Sequence, residues 1–533
     1  MDLVDVSRWQ FGITTVYHYI FVPLTIGLAP MVAAMQTAWL RTGKEHWYRA
    51  TRFFGTLFLI NFAMGVVTGI VQEFQFGMNW SEYSRFVGDV FGAPLALEGL
   101  AAFFIESIFL GAWIFGWGRM PGWLHNVCIW MVAIAVNLSA YFIIVANSFM
   151  QHPVGARFNE ETGRAELVDI VALLTNPTAL AGWPHAIFGS FMVSGTLVAG
   201  ISGWWMVRTI RRGSSAPGSF TDDAHGLWRA TLRFGLWVSV LGIIGVSLTG
   251  HSLAQLMFVQ QPMKMASAEA LCTTETDPLF SILSISTMND CGTAIQLIGV
   301  PFVLSFLAGN RFTGVTLEGV TDLQLQYEQL FGPGNYTPNL FVTYWSFRGM
   351  IGFMAATVII AAVGFWVTRK GRVYGQKWFG WLSLIVIPFP FLANWCGWIF
   401  TEMGRQPWIV HPNPEFMGTD DPLGRDEIRM IVDFGVSDHS LSTVWTSLIA
   451  FTLLYGVLAI VWFWLLRRHT IAGPLPPGAA EDIAHKEYAP DDDDGVAPLT
   501  FGDGDSADDS GDASAGSTAV LTDPRADTSE EEK

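Results

Sequence analysis

Nine apolar runs, each long enough to cross a lipid bilayer, dominate this chain; a crossing helix needs about 20 residues. Apolar residues make up 51% and charged residues 14% of the 533 residues, which leaves too little polar surface for a soluble globule. The sequence therefore predicts an all-α membrane protein with about nine transmembrane helices. Their expected positions are 11–39, 53–76, 93–117, 124–149, 183–207, 231–252, 341–367, 378–401 and 444–466.

Basic residues between the runs predict the orientation. Because Lys and Arg concentrate in cytoplasmic loops, the connections after runs one, five and seven and the C-terminus are expected in the cytoplasm, and the N-terminus outside. Asp2 and Asp5 precede the first run without a basic region, so this run is expected to be a retained helix and not a cleaved signal peptide. The basic residues are Arg41, Lys44, Arg49, Arg52, Arg208, Arg211, Arg212, Arg229, Arg233, Arg369, Lys370, Arg372, Lys377, Arg467 and Arg468.

The net charge of −17 is concentrated at the C-terminus. From Glu481 onward there are 17 acidic residues against three basic ones, so this part carries −14. A segment rich in Asp, Gly and Ser buries too little apolar surface to fold by itself. We expect a transmembrane domain over 1–470 and an acidic, disordered cytoplasmic tail over 471–533; no nucleic-acid partner is expected.

One outer connection is much longer than the others and is expected to be functional. It covers 253–340, and its apolar piece 294–308 is too short for a crossing. A crossing there would also move the basic loop 369–377 outside. Cys272 and Cys291 both lie in this loop, where an oxidising compartment favours a disulfide, although sequence alone leaves two free thiols open.

Several polar residues lie within or at the ends of the apolar runs, where ionisable groups are costly and usually functional. His18, Glu98, His185, Arg348 and Glu402 are all expected toward the outer side. His185 and Met350 are expected at one depth, and an imidazole with a thioether is an axial ligand pair of a low-spin haem. Arg348 is placed to neutralise haem propionates. A lone histidine such as His18 is otherwise more often a hydrogen-bonded core residue.

The third run carries two carboxylates, Glu98 and Glu106. In a regular α-helix they lie about 12 Å apart along the axis and about 80° apart around it. Two carboxylates on a broad shared face indicate a proton path or a cofactor site. Ser107 and Ser139 are candidates to extend such a path.

The eighth run ends in Glu402-Met-Gly-Arg405-Gln-Pro-Trp408. An interfacial cap with Trp408 in the aromatic belt would explain the tryptophan but not Glu402. Together with Phe-Arg-x-Met at 347–350, Gln-Pro-x-Lys at 261–264 followed by Glu269, and the early His18, this motif resembles subunit I of the cytochrome bd quinol oxidases. The resemblance covers roughly 1–470.

The resemblance implies three haems. Haem b558 would be held by His185 and Met350. Haems b595 and d, or a third b-type haem in place of haem d, would use His18 and Glu402, with Glu98 beside the oxygen site and Arg405 in the haem-site motif. Which high-spin haem occupies which position stays open.

The resemblance also implies a quinol site in the long loop, with Lys264 and Glu269 as its functional residues. It implies oxidation of ubiquinol or menaquinol at the outer face, reduction of O2 with cytoplasmic protons, and a membrane potential generated without pumping. Glu106, Ser107 and Ser139 would form the last stretch of the proton path. Subunit II, small accessory subunits and lipid are the expected partners, in a bacterial cytoplasmic membrane.

Three other classes of membrane protein fit the sequence less well. A haem-copper oxidase requires adjacent histidines, and no His-His occurs in the sequence. A cytochrome b of the quinol:cytochrome c type requires paired histidines on two helices, and no run holds two. An ion or solute transporter would explain buried carboxylates, but inverted repeats are not evident and the His/Met pair would have no role.

Overall fold

The computed structural model describes residues 1–213, 223–285, 291–419 and 421–478. Within these ranges, nine helices are long and apolar enough to cross a membrane, as the hydropathy predicts. The predicted acidic tail lies outside the described ranges apart from its first residues, 471–478. The spanning helices are α1 Leu3–Thr42, α2 Glu45–Met78, α3 Ser81–Phe115, α4 Gly122–Gln151, α5 Ile170–Gly213, α6 Ala224–Gln260, α7 Leu340–Val367, α8 Lys377–Met403 and α9 Leu441–Ala472.

Four of these helices contain an irregular turn. Helix α3 is π-helical over Glu98–Phe103, between regular parts Ser81–Leu97 and Phe104–Phe115. Helix α5 consists of Ile170–Leu174 and Pro177–Gly213, and α6 starts with a π-helical turn at Ala224–Trp228 followed by Arg229–Gln260. Helix α8 consists of Lys377–Ile385 and Pro388–Met403, since a proline cannot donate the backbone hydrogen bond that would continue the helix.

Helices α1 and α5 are the most buried, and α3 and α9 the least. Helix α1 packs against α2, α4, α5 and α9, while α5 also packs against α6 and α8, and α7 packs against α6 and α8. Small residues bring α5 and α6 together: a Cβ on Gly195 would lie 2.5 Å from the backbone nitrogen of Ser239. Helix faces without large side chains allow helix backbones in a membrane to come into contact.

The described parts of the connections contain four two-stranded antiparallel sheets. The long loop between α6 and α7 holds the short helices Pro262–Glu269, Val303–Gly309 and Val320–Phe331. Its apolar piece 294–308 forms a strand and a short helix, so no crossing occurs there. The pairs are β1 Ala156–Asn159 with β2 Arg164–Leu167, β3 Glu275–Thr276 with β6 Thr316–Leu317, β4 Phe280–Ile285 with β5 Ile295–Val300, and β7 Trp408–Val410 with β8 Met430–Ile431.

The two ends of the bundle differ in composition. At the loop end, the connections between α4 and α5, α6 and α7, and α8 and α9 meet; His411, for example, donates its backbone N–H to the Met150 carbonyl at 2.9 Å. At the opposite, basic end, the Arg49 guanidinium pairs with Asp223 at 2.5 Å and reaches the Leu475 carbonyl at 2.7 Å. Apart from Glu106 and Ser107, each predicted site residue lies in the loop-end half of its helix or in a connection at that end.

Candidate functional site

His18 lies in the interior of α1 and contacts α2. Its Nδ1 is 2.8 Å from Thr68 Oγ1, and Gly69 faces the same ring. The hydrogen bond engages Nδ1 and leaves Nε2 for another partner. Because α1 begins at Leu3 and not near residue 11, His18 lies about four turns from the helix start, where the sequence suggested two.

His185 has the same kind of surroundings on α5. Its Nδ1 is 3.0 Å from Thr249 Oγ1 of α6. It lies eight residues, about 12 Å, after the start of the helix Pro177–Gly213, and Met350 lies ten residues, about 15 Å, after the start of α7. The two predicted ligands are therefore at similar distances from the loop end. A Cβ on Gly397 of α8 would lie 3.0 Å from the Met350 Sδ, so α8 closes around the thioether.

Glu402 lies at the end of α8 and forms an ion pair with Arg405, one turn later. Its other carboxylate oxygen accepts a hydrogen bond from Asn147 Nδ2 of α4 at 2.9 Å. Arg405 is 3% exposed, yet its Nε and Nη1 have no hydrogen-bond partner among the described residues. A buried guanidinium with unused donors can bind an anionic group such as a carboxylate.

The carboxylates of α3 are arranged differently from the regular-helix expectation. Glu98 begins the π-helical turn, so the offset of about 80° to Glu106 does not hold across that turn. Glu98 accepts a hydrogen bond from Ser139 Oγ at 2.7 Å. Glu106 is buried, but Ser107 is exposed and bonds to its own helix, because consecutive helical residues point to different sides. Ser107 is therefore not brought beside Glu106.

Glu98 and Glu402 are both expected toward the outer side from the sequence, but they lie at different depths. Their partners Ser139 and Asn147 are eight residues apart on α4, which corresponds to about 12 Å along the helix axis. Glu98 is the deeper of the two from the loop end. From the loop end toward the basic end, the order of the carboxylates is therefore Glu402, Glu98 and Glu106.

Lys264 lies in the short helix of the long loop and is buried. Its Nζ donates to Gln151 Oε1 at 2.9 Å. Gln261 Nε2 donates to the same oxygen, also at 2.9 Å. Burial, together with the nearby Arg405 guanidinium, lowers the pKa of Lys264 to about 7.

Glu269 ends the same short helix and is bound by α7. Its Oε2 lies 2.6 Å from Arg348 Nη2 and 3.0 Å from the Ser281 backbone nitrogen. Burial raises the pKa of Glu269 to about 7, against the opposite effect of the Arg348 charge. Arg348 also donates to the backbone carbonyls of Ala268 and Ser281. Its guanidinium thus binds the loop, where the sequence suggested haem propionates.

Cys272 and Cys291 form a disulfide that closes part of the long loop, as the sequence suggested.

Four polar residues around the predicted sites could not be recognised from the sequence: Thr68, Thr249, Asn147 and Gln151. Each lies on a helix other than that of the residue it contacts, and their distance along the chain gives no signal for the contact. Within the described ranges, no cluster of three or more His, Cys, Asp or Glu side chains could hold a bare metal ion, so the two histidines stand singly.

Comparison with known proteins supports a single family. The model of the cytochrome bd terminal oxidase subunit I family matches residues 6–474. The chain belongs to this family. It is 41% identical to cytochrome bd ubiquinol oxidase subunit 1 of Bacillus subtilis (strain 168), over 91% of this chain and 96% of the relative. It is 33% identical to cytochrome bd-II ubiquinol oxidase subunit 1 of Escherichia coli (strain K12), over 77% and 88%.

The fold agrees with that of a solved bd oxidase. The bd oxidase from Geobacillus thermodenitrificans superimposes with a TM-score of 0.73 and 26% identity, covering 89% of this chain and 99% of that one. Membership of the bd oxidase subunit I family makes the chain a multi-pass membrane subunit of a haem-containing terminal respiratory oxidase. The side chains of His18, His185, Met350 and Glu402 are of the types that ligate haem iron or lie beside it, which fits a haem-containing protein.

Proposed function

We propose that this chain oxidises quinol at the loop end and delivers the electrons to haems that reduce O2 to water. The single observation that carries the proposal is the pair of histidines, His18 and His185, whose Nδ1 atoms are held by threonines while Nε2 stays available. Such an arrangement is typical of imidazoles that ligate a metal. Bound haem would supply electron transfer and, where the iron has an open position, O2 reduction.

Haem b558 is assigned to His185 and Met350, whose similar distances from the loop end support a shared ligand pair. His18 and Glu402 are assigned to the two high-spin haems, b595 and d, or a third b-type haem in place of haem d. Arg405 offers its two unused donors to a haem propionate. Arg348 is not needed for that role, because its guanidinium already binds Glu269 and two loop carbonyls.

The quinol site is assigned to Lys264 and Glu269. Oxidation of a quinol releases two protons, and a carboxylate with a pKa of about 7 accepts a proton readily at neutral pH. Lys264 orients a quinol oxygen. A quinol that gives up its protons at the loop end releases them on that side of the membrane.

Two unpaired amide atoms next to Lys264 add to this assignment. Gln151 Oε1 accepts from two donors and Gln261 Nε2 donates to Gln151, which fixes the orientation of both amides. Gln151 Nε2 and Gln261 Oε1 are then left buried without a partner among the described residues. A hydroxyl group can accept from the first and donate to the second, as the hydroxyl of a quinol would.

Protons for water formation enter from the basic end, which the positive-inside rule assigns to the cytoplasm. Glu106 and then Glu98 with Ser139 carry them toward the haem sites, and Ser107 serves this path only if subunit II covers the exposed face of α3. Charge is separated without a pump because the two reactions use protons from opposite sides. Subunit II completes the oxidase, as the subunit numbering of the relatives implies, in a bacterial cytoplasmic membrane.

The experiment is a reduced-minus-oxidised spectrum of the purified oxidase with His185→Ala or Met350→Leu. Both variants are expected to lose the low-spin haem band and quinol-driven haem reduction. Met354→Leu, one turn further along α7, is the matched control and keeps both. A full low-spin band with normal turnover in the two ligand variants contradicts the proposal.

A further inference from the structure

The two predicted histidine ligands have matching surroundings on different helix pairs. His18 on α1 faces Thr68-Gly69 on α2, and His185 on α5 faces Thr249-Gly250 on α6. The sequences match as well: each histidine begins a His-x-Ile-Phe segment, at 18–21 and at 185–188. The same arrangement of histidine, threonine and glycine therefore occurs twice in the chain.

The hydroxyl contacts favour one tautomer of the two histidines. Thr68 Oγ1 lies 3.0 Å from the Met64 carbonyl, and Thr249 Oγ1 lies 2.7 Å from the Gly245 carbonyl. A carbonyl only accepts, and a hydroxyl has a single proton to donate. Each threonine thus gives its proton to its own helix and presents a lone pair to the histidine. In this arrangement Nδ1 carries the hydrogen in both rings, and the Nε2 lone pair is free.

The glycine after each threonine lies against the edge of the ring. A Cβ on Gly69 would be 3.3 Å from His18 Cε1, and a Cβ on Gly250 would be 3.3 Å from His185 Cε1. Both distances are shorter than ordinary van der Waals contact, so a larger residue would displace the ring. The threonine holds the ring by its Nδ1, and the glycine leaves room for it.

The two sites differ in two respects. After Cε1, the ring atom nearest to a Cβ on Gly69 would be His18 Nε2, at 3.7 Å, whereas for a Cβ on Gly250 it would be His185 Nδ1, also at 3.7 Å. His185 also has a second acceptor, the backbone carbonyl of Val246, whereas Thr68 is the acceptor found for His18 among the described residues. Loss of the hydroxyl should therefore disturb the His18 site more than the His185 site.

The geometry points to Thr68 and Thr249 as positioning residues that hold the two imidazoles with Nε2 toward the haem iron. This inference rests on the ligand assignment of the proposed function. A hydrogen bond from Nδ1–H fixes the ring orientation and makes the imidazole a stronger donor to iron. Partners of this kind typically change metal affinity by about 10- to 100-fold when removed.

The test replaces the hydroxyl by a methyl group in Thr68→Val and Thr249→Val. Weaker donation by the imidazole is expected to lower the Fe–His stretching frequency of the reduced His18 site, measured by resonance Raman spectroscopy. It is also expected to raise the midpoint potential of the low-spin haem. Haem retention on dilution should fall by about 10- to 100-fold for Thr68→Val, and less for Thr249→Val.

The controls separate the hydrogen bond from packing. Thr68→Ser and Thr249→Ser keep a hydroxyl and are expected to restore the frequency and the potential. Thr56→Val on α2 and Ser247→Ala on α6 remove hydroxyls that also bond to their own helix but face neither histidine. These two variants should match the wild type. Where a valine variant does not assemble, the alanine variant at the same position takes its place.

Failure of the ligand assignment and failure of the positioning role give different results. If His18→Ala and His185→Ala keep their haems, the ligand assignment is wrong. If these variants lose haem while Thr68→Val and Thr249→Val keep the wild-type vibrational frequency, midpoint potential and haem retention, the positioning role is overturned and the ligand assignment stands. Equal changes in the serine variants also overturn it, because the hydroxyl would then not be the cause.

Discussion

Arg348 and Glu269 form a buried ion pair in which Nη2 lies 2.6 Å from the carboxylate oxygen, with both side chains less than a tenth exposed. Arg348 Nε also donates to the Ser281 carbonyl at 2.8 Å, so the guanidinium fastens the long loop to α7. Met350 lies two residues further along the same helix. The proposed base for quinol oxidation is thus connected to the helix that carries the proposed thioether ligand.

Replacing Arg348 by Gln should slow quinol oxidation at least about tenfold at neutral pH. Loss of one partner of a buried ion pair typically costs about 3–5 kcal/mol, because the other charge stays buried. The pKa of Glu269 should rise further, so the remaining activity should need a higher pH. Steady-state quinol kinetics across pH measure both effects. Arg369→Gln, in the exposed turn that follows the same helix, is the control. A pH profile of Arg348→Gln identical to the wild type would rule out the coupling.

The pH profile of the wild type should be a bell centred near pH 7. Glu269 accepts a proton only when ionised, and its ionised fraction rises as the pH increases through about 7. Lys264 is cationic only when protonated, and that fraction falls as the pH increases through about 7. Rates of haem reduction by quinol should show both limbs. Glu269→Gln should remove the acidic limb from the residual activity and Lys264→Met the basic limb; retention of both limbs in both variants would assign them to other groups.

The architecture could be predicted from the sequence to a large extent, because hydropathy is local. Nine runs gave nine spanning helices within the described residues. The helix ends could not be predicted, because helices continue past the apolar run. His18 is therefore about four turns from the start of its helix, although it is about two turns from the start of the run. The π-helical turn at Glu98 also left no signal, since the residues around it follow an ordinary apolar pattern.

The candidate site was predictable in its residue types but less so in its contacts. Ser139 was expected near the carboxylates and does bond to Glu98. Arg348 was expected near propionates, yet its partners lie about 70 to 80 residues earlier in the long loop. Thr68 is 50 residues from His18. Contacts at such separations depend on helix packing, which a single sequence does not reveal.

Gly397→Ala should convert the low-spin haem toward a high-spin form. A Cβ at this position would lie 3.0 Å from the Met350 Sδ, so the thioether must move away from its present position. Haem content should be unchanged because the other proposed ligand, His185, is unaltered. Gly352→Ala on α7 is the matched control, since a Cβ there meets no atom within 4 Å. Absorption and magnetic circular dichroism spectra of the reduced oxidase measure the spin state; an unperturbed low-spin signal in Gly397→Ala would argue against ligation by Met350.

Glu106→Gln should slow O2 reduction more than it slows haem reduction by quinol. The side chain is buried on the basic-end side of Glu98, where the proposed proton path begins, and an amide keeps its size but cannot relay a proton. Glu98→Gln should act differently. Its carboxylate accepts from Ser139 and lies closer to the proposed haem ligands, so this variant should also alter the spectra of the high-spin haems.

Rapid mixing of the fully reduced oxidase with O2 separates the two variants. Glu106→Gln is expected to keep wild-type haem spectra and to delay the proton-dependent phase by about 100-fold or more, the range typical for loss of a positioned acid or base. Ser107→Ala, which changes the neighbouring exposed residue, serves as the control and should leave this phase unaltered if α3 delivers protons through its buried face. A wild-type rate in Glu106→Gln would mean that protons enter by another route, most directly through the partner subunit. Within the described part of α3, no other carboxylate lies between Glu98 and the basic end.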